Sequence, residues 1–364
     1  MPQADTHQPA TDESRGRSPT RAVFAPEELR TVLAAFDLGR VGSIRPYRRG
    51  RPEAPKAVIE TGRGKLLLKR RPPRAGDTGK VTAAHQLIRA LAEGGLPVPA
   101  PLQASDGTTW HTRNGFAYEL FPFVEGRDDN SEIGDARASG ALLASFAEQS
   151  AGLDIPGLTE RGSYVDADYV RANITSASER LGDDFGLGEA YENANTRAQD
   201  AGIMNSELTP VHGDWHPGNL IYHATLSSRV VGLVDFDTAR LGRVIEDAAV
   251  GALQAALRPR GGPLRARDGS FRIDPDRFLG FCAGVRSAGG RLSDLEAVPP
   301  LVGATLIAEA VGPVASHSQL GPNEMRTTSS GGPITGGKTW LGTLAASVQP
   351  IVTQATRLLA RLDR

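Results

Sequence analysis

Residues 211–220, VHGDWHPGNL, bring His212, Asp214, His216 and Asn219 into one short segment between apolar ends. A second segment, VVGLVDFDTA (230–239), carries Asp235 and Asp237 out of an apolar run. Pro217-Gly218 stop a helix and hand the chain to a strand, which leaves Asn219 at the strand mouth, five positions after Asp214. That spacing suits a carboxylate that takes a proton from an attacking hydroxyl, with an amide oxygen nearby to hold a metal ion. The run before Asp235 reads as a strand with the carboxylate at its end, within reach of a metal that bridges phosphate oxygens. Mg²⁺ takes few protein oxygens beside phosphate and water, so one Asp and one Asn suffice. The same letters admit a second chemistry, because H-x-D-x-H over His212, Asp214 and His216 could hold zinc in a hydrolase. Taken singly, each residue fits a capped or solvated loop. The combination H-x-D-x-x-x-x-N, then an apolar strand, then D-F-D, does not.

Together the two segments resemble the catalytic loop HGDxxxxN and the metal motif (I/V)DF/W(D/E) of the aminoglycoside phosphotransferase and choline kinase group. That group includes the type II homoserine kinases and is related to eukaryotic-type protein kinases. The resemblance runs from about residue 24. It implies an α+β, protein-kinase-like bilobal fold, with a small antiparallel β-sheet lobe and a larger, mostly helical lobe. By resemblance Asp214 is the catalytic base, Asn219 and Asp235 hold Mg²⁺, and Asp237 is a second acid. His212 is then a structural hydrogen-bonder of the loop. Asp247, in IEDAAVG (245–251), matches an acid that steadies the loop, although a helix-start cap is an equal reading. Implied substrates are ATP and a small hydroxyl-bearing acceptor, an aminoglycoside, choline, homoserine or a sugar-like alcohol. HGD in place of HRD, and the lack of an A-P-E segment after VDFDTA, favour a small acceptor over a protein. Trp215 and His216 are expected near the floor of its pocket.

These groups need a framework. KAVIE-TGRG-KLLLK reads as a hairpin around a Gly-bearing turn, with SIRPYRR (43–49) before it and GFAYELFPFVEG (115–126) after it. By strand alternation Lys69 shares the inward face of Leu67, with Lys65, Arg70 and Arg71 as its competitors. It also stands where the family's phosphate-binding lysine lies. The turn RRGRPEAPKA (48–57) is expected over the phosphates, with only one glycine and no GxGxxG. A helix over VTAAHQLIRALAEGG has His85 where the family often has a glutamate for that lysine, so Lys69 is expected without a strong carboxylate from this helix. YELFPFVEG resembles the hinge, with Phe121 and Phe123 offering backbone to adenine and Glu119 as a simple strand-end acid. From residue 130 helical spacing dominates, in 136–150, 166–182, 186–201, much of 244–311, and a last helix that Pro350 could kink. The expected layout is a disordered tail over 1–20, a nucleotide-binding lobe over 21–124 and a catalytic, substrate-binding lobe over 125–364. A mobile loop is expected at about 316–337, where the chain is polar and Gly-rich.

Composition narrows the surroundings. A net charge of −1 over 364 residues offers no overall field for nucleic acid or membrane, so neither is an expected partner. The clusters YRRGR (47–51) and KRRPPR (69–74) lack interleaved aromatics and read as solvated lobe edges. One cysteine, Cys282, excludes an internal disulfide framework and fits a reducing cytoplasm. No apolar stretch reaches about 18 residues, and the first twenty residues lack the apolar core of a signal peptide. Two other readings stand beside the small-molecule kinase: a kinase fold kept as a nucleotide-binding scaffold, and the zinc hydrolase on His212, Asp214 and His216.

Overall fold

Pro26–Ala34 form the first helix, α1, opened by Pro26 and by the Ala25 N–H, which donates to Glu28 Oε2 at 3.0 Å. Val41–Tyr47 (β1), Lys56–Thr61 (β2) and Gly64–Arg71 (β3) follow, then Thr78–Glu93 (α2), His111–Arg113 (β4) and Phe116–Pro122 (β5). The five strands make one antiparallel sheet in the order β1-β2-β3-β5-β4. The computed structural model describes residues 21–50, 52–71, 77–160, 162–225, 228–257, 264–265, 270–290, 292, 295–316, 325–327, 333–336 and 338–362. The expected tail over 1–20 and most of the expected loop at 316–337 lie outside them. Within that loop, Met325–Thr327 pairs with Pro333–Gly336.

Period-two alternation gives the sheet two different faces. Ile59, Leu66, Leu68 and Leu120 pack against Val32 and Leu33 of α1, and Phe36 just after it, in a small apolar core. Each such side chain contributes about 1.5–3 kcal/mol on full burial. Arg70 also leaves on this face, where Nη1 meets Glu28 Oε1 at 2.7 Å and the guanidinium lies over Phe116. The opposite face is polar, because the ladder sets Lys56 opposite Lys69 and Lys69 opposite Glu119. α2 crosses at that side, capped by Asp77, and sends Ala84, Leu87, Ile88 and Leu91 into the core of the larger lobe.

The larger lobe is helical, with Ile133–Ser150 (α3), Asp168–Leu181 (α4), Leu187–Asp200 (α5), Val244–Leu257 (α6), Pro275–Ala288 (α7), Val298–Ser316 (α8) and Lys338–Leu362 (α9). The last of these runs on through Pro350. Short antiparallel ladders interrupt it, among them Thr209–Val211 (β6) with Arg240–Gly242 (β9), and Leu220–Tyr222 (β7) with Val230–Leu233 (β8). The chain enters this lobe across Gly126, where any Cβ would strike the Tyr222 carbonyl. Arg127 then exchanges backbone hydrogen bonds of 2.8 and 2.9 Å with Tyr222. The arginine clusters are largely paired, Arg49 with Asp128, Arg70 with Glu28 and Arg71 with Glu119. No helix among the described residues is long and apolar enough to cross a membrane.

Candidate active site

The loop after β6 turns at Gly213, whose φ of +78° places it in the left-handed region. A Cβ there would strike the Arg240 guanidinium and the Thr238 carbonyl. Asp247, in the first turn of α6, holds the loop from below. Its Oδ2 accepts the His212 N–H at 2.8 Å and its Oδ1 the Gly213 N–H at 3.0 Å. These two bonds run to the loop backbone, as the loop-support reading of Asp247 requires. Burial pushes this carboxyl above its ordinary range, against Arg240, His212 and the two N–H groups, which pull it down.

His212 is fully buried, with Nε2 3.1 Å from the Val234 carbonyl and Nδ1 accepting the Asp214 N–H at 3.3 Å. Nδ1 as acceptor makes Nε2–H the donor, so both nitrogens are engaged. This overturns the zinc reading, since His212 has no lone pair left for a metal. His216 is similarly committed at Nδ1, which accepts the Gly218 N–H at 3.0 Å, and its Nε2 lies 3.4 Å from Asp214 Oδ2. Among the described residues no group of three or more His, Cys, Asp or Glu could hold a metal.

The Asp214 side chain is 43% exposed and lies close enough to Asp235 to feel its charge. Desolvation raises its carboxyl, but the His216 hydrogen bond and the nearby imidazoles outweigh it and hold the group below its usual range. Asn219 lies in the short turn Pro217–Asn219, and its Nδ2 donates to the Asp214 carbonyl at 2.9 Å. The amide oxygen is thereby turned away from that bond. Trp215 is not on a pocket floor: it is 1% exposed, donates to Ser139 Oγ at 3.1 Å and meets Phe146 edge-on. Its indole is core, with its one N–H satisfied by α3.

β8 ends at Leu233, two residues earlier than its apolar run suggests, and Asp235 takes a left-handed φ of +70°. The kink turns Asp235 and Asp237 together toward the polar face of the sheet. Lys69 Nζ lies 2.8 Å from Asp235 Oδ1 and also bonds Asp237. Lys69 holds Asp235 well below the ordinary carboxylate range, against desolvation. Burial would lower Lys69, yet Asp235 and Asp237 raise it, so the ammonium persists.

No acid from α2 reaches Lys69. His85 instead presents Nε2 to Glu119 Oε1 at 2.7 Å and Nδ1 to Thr109 Oγ1 at 2.7 Å. Glu119 is no strand-end acid, being fully buried and gripped by Arg71 at 2.5 and 3.0 Å. Arg71 also reaches Asp237 at 2.7 Å, so a chain runs from His85 through Glu119, Arg71 and Asp237 to Lys69. Burial raises Glu119, but Arg71, His85 and Lys69 more than offset it and hold the carboxyl well below its usual range. At the expected hinge, the Phe123 N–H donates to the Lys65 carbonyl at 2.9 Å, and Phe121 lies opposite Leu67 in the same ladder. Both residues therefore turn their backbone toward β3, because residues two apart point the same way. Glu119, Arg71 and Lys56 are the site residues that the motifs did not mark. Strand alternation, which puts all three on the face of Lys69, was the signal available for them.

Residues 43–279 match the family model described as "Phosphotransferase enzyme family", APH. The chain belongs to that family. A homoserine kinase from Sinorhizobium fredii is 28% identical over 221 residues, which cover 58% of this chain and 62% of that protein. The chain thus spans less than two thirds of that relative's length. An aminoglycoside phosphotransferase from Alicyclobacillus acidocaldarius superposes with a TM-score of 0.60 at 14% identity, covering 94% of this chain and 99% of the other. The amicoumacin kinase hAmiN, solved with AMP-PNP, Ca²⁺ and Ami, gives 0.56 at 15% identity over 72% and 79%. These likenesses show the α+β bilobal, kinase-like fold.

Proposed function

We propose that this protein moves the γ-phosphoryl group of ATP to a hydroxyl of a small molecule. The observation that carries the reading is the meeting of Lys69, from the sheet, with Asp235 and Asp237, from the larger lobe, beside the part-exposed Asp214. The likeness to a homoserine kinase, and to a kinase solved with a nucleotide analogue and a divalent ion, supports it.

Asp214 accepts the proton of the acceptor hydroxyl as that oxygen attacks. His216 and Asn219 keep the carboxylate ionised and aimed, and the lowered proton affinity of Asp214 suits a base that receives its proton late in transfer. Lys69 draws the phosphates into line. Asp235 and the amide oxygen of Asn219 are hard oxygen donors at adjacent ends of the β7–β8 ladder, where the Val234 N–H donates to the Asn219 carbonyl at 3.0 Å. They fit Mg²⁺, which they would hold and which would offset the charge that develops on the phosphate. Adenine meets the hinge at the Pro122 carbonyl and Val124 N–H, the groups left facing away from β3 once Phe121 and Phe123 turn toward it. The Leu120 carbonyl, two residues before Pro122, also points outward and accepts the Leu102 N–H at 2.8 Å.

The test is an ATP-consumption screen against amino alcohols, aminoglycosides and sugars, with Asp214→Asn as the blank. Acceptor-dependent consumption that vanishes in the blank supports the transferase. Tight ATP·Mg²⁺ binding with no acceptor-dependent turnover across the panel would point to a nucleotide-binding module instead.

A further inference from the structure

Lys56 opens β2 directly opposite Lys69, so the two side chains leave the same face of the sheet. Lys56 Nζ lies 3.6 Å from Asp235 Oδ2, while Lys69 holds the other oxygen of that carboxylate. The Lys56 side chain is only 12% exposed, and lysine is seldom withdrawn from water this far without a charged group to meet. Above it runs the turn between β1 and β2. A Cβ on Gly50 would stand 3.2 Å from Lys56 Nζ, so the ammonium is tucked directly under that turn.

The turn itself is short of the glycines and free amides that cradle phosphate. Pro52 and Pro55 have no N–H, and Gly50 is its one glycine. Its carbonyls are tied down, Gly50 to the Arg21 guanidinium at 3.2 Å, Pro52 to the Ala22 N–H at 2.8 Å and Pro55 to the Arg70 N–H at 3.1 Å. Among its described residues these bonds hold the turn in shape, and two of its positions offer no amide to a phosphate. We infer that Lys56 is a second phosphate-gripping lysine, which supplies by charge what a glycine-rich turn supplies by amides. The assignment rests on the nucleotide reading proposed above. Once Asp235 is committed to a divalent ion, Lys56 and Lys69 lose their shared partner. The nearest anions able to replace it are the phosphate oxygens, within reach of two flexible four-carbon stems.

Calorimetric titration of ATP, ADP and AMP in excess Mg²⁺ tests this, with wild type, Lys56→Met, Lys56→Arg and Lys69→Met. Lys56→Met keeps the stem and removes the charge. It is expected to weaken ATP about tenfold or more, ADP less, and AMP hardly at all, with Lys56→Arg close to wild type. Unchanged ATP affinity in Lys56→Met, or equal losses for ATP and AMP, overturns the assignment. Lys69→Met separates the two levels: if it loses ATP while Lys56→Met does not, Lys56 alone is misassigned. A wild type that binds no ATP·Mg²⁺ overturns the nucleotide reading and this assignment with it.

Discussion

Glu119 Oε1 stands 2.7 Å from His85 Nε2, and both side chains are closed off from solvent. The acid that organises this end of the cleft therefore comes from the strand beside Lys69 and not from the helix behind it. It acts at one remove, through Arg71 on Asp237 and through Asp237 on Lys69.

His85→Glu is accordingly expected to harm the protein. It would set a second carboxylate against Glu119 in a buried site, at a cost of at least about 2 kcal/mol, and loosen the hold on Arg71. Nucleotide titration and urea unfolding read both effects. A variant that binds ATP more tightly at unchanged stability would contradict the placement of α2.

Glu119→Gln keeps the shape and removes the charge that Arg71 and His85 share. Breaking a buried pair of this kind costs about 3–5 kcal/mol. Glu119 is held well below its usual range in the folded state. Its contribution is therefore present above the unfolded glutamate value of about 4.3 and is lost as pH falls toward the depressed folded value. The stability gap between wild type and variant should be full at neutral pH and close progressively below about pH 4. Urea unfolding across that range measures it, and a gap independent of pH would refute the charge-based account.

Asp214→Asn is expected to lower turnover by roughly a hundredfold or more, with little change in ATP affinity, because the carboxylate serves the acceptor and not the nucleotide. Steady-state kinetics beside calorimetry separates the two. Turnover that survives intact in the purified variant removes Asp214 from the role of base.

Gly213→Ala forces a side chain into a left-handed position and against Arg240 and Thr238. Backbone strain of this type costs about 1–3 kcal/mol. The expected result is a lower melting temperature and a larger loss in kcat than in nucleotide affinity, since the displaced loop carries Asp214. A variant with wild-type kcat would show that the loop tolerates the turn without glycine.

Much of this was legible in the chain because it is local. HGDWHPGN sets His212, Asp214 and Asn219 by spacing alone, and VDFD sets two acids at a strand end. The alternation of KLLLKRR was enough to set Lys69 on the face opposite Arg70. The two-lobed outline, strands first and helices after, followed from hydrophobic period in the same way.

What tertiary structure decided is everything that depends on which element lies beside which. Glu119 is an unremarkable strand residue until the β3–β5 register sets it opposite Lys69 and α2 brings His85 against it. Trp215 reads as a pocket aromatic in the sequence and is core in the fold, because α3 places Ser139 where the indole N–H can be satisfied. Phe123 lost its expected freedom for adenine to one cross-strand bond with Lys65. Lys56 became part of the site only when the hairpin register and the kink at Asp235 turned both toward one cleft. Spacing along a chain fixes which groups travel together over a few residues. Partners as far apart as His85 and Glu119, or Lys56 and Asp235, are chosen by packing and register, which minimise exposed apolar surface and unpaired buried charge over the whole molecule at once.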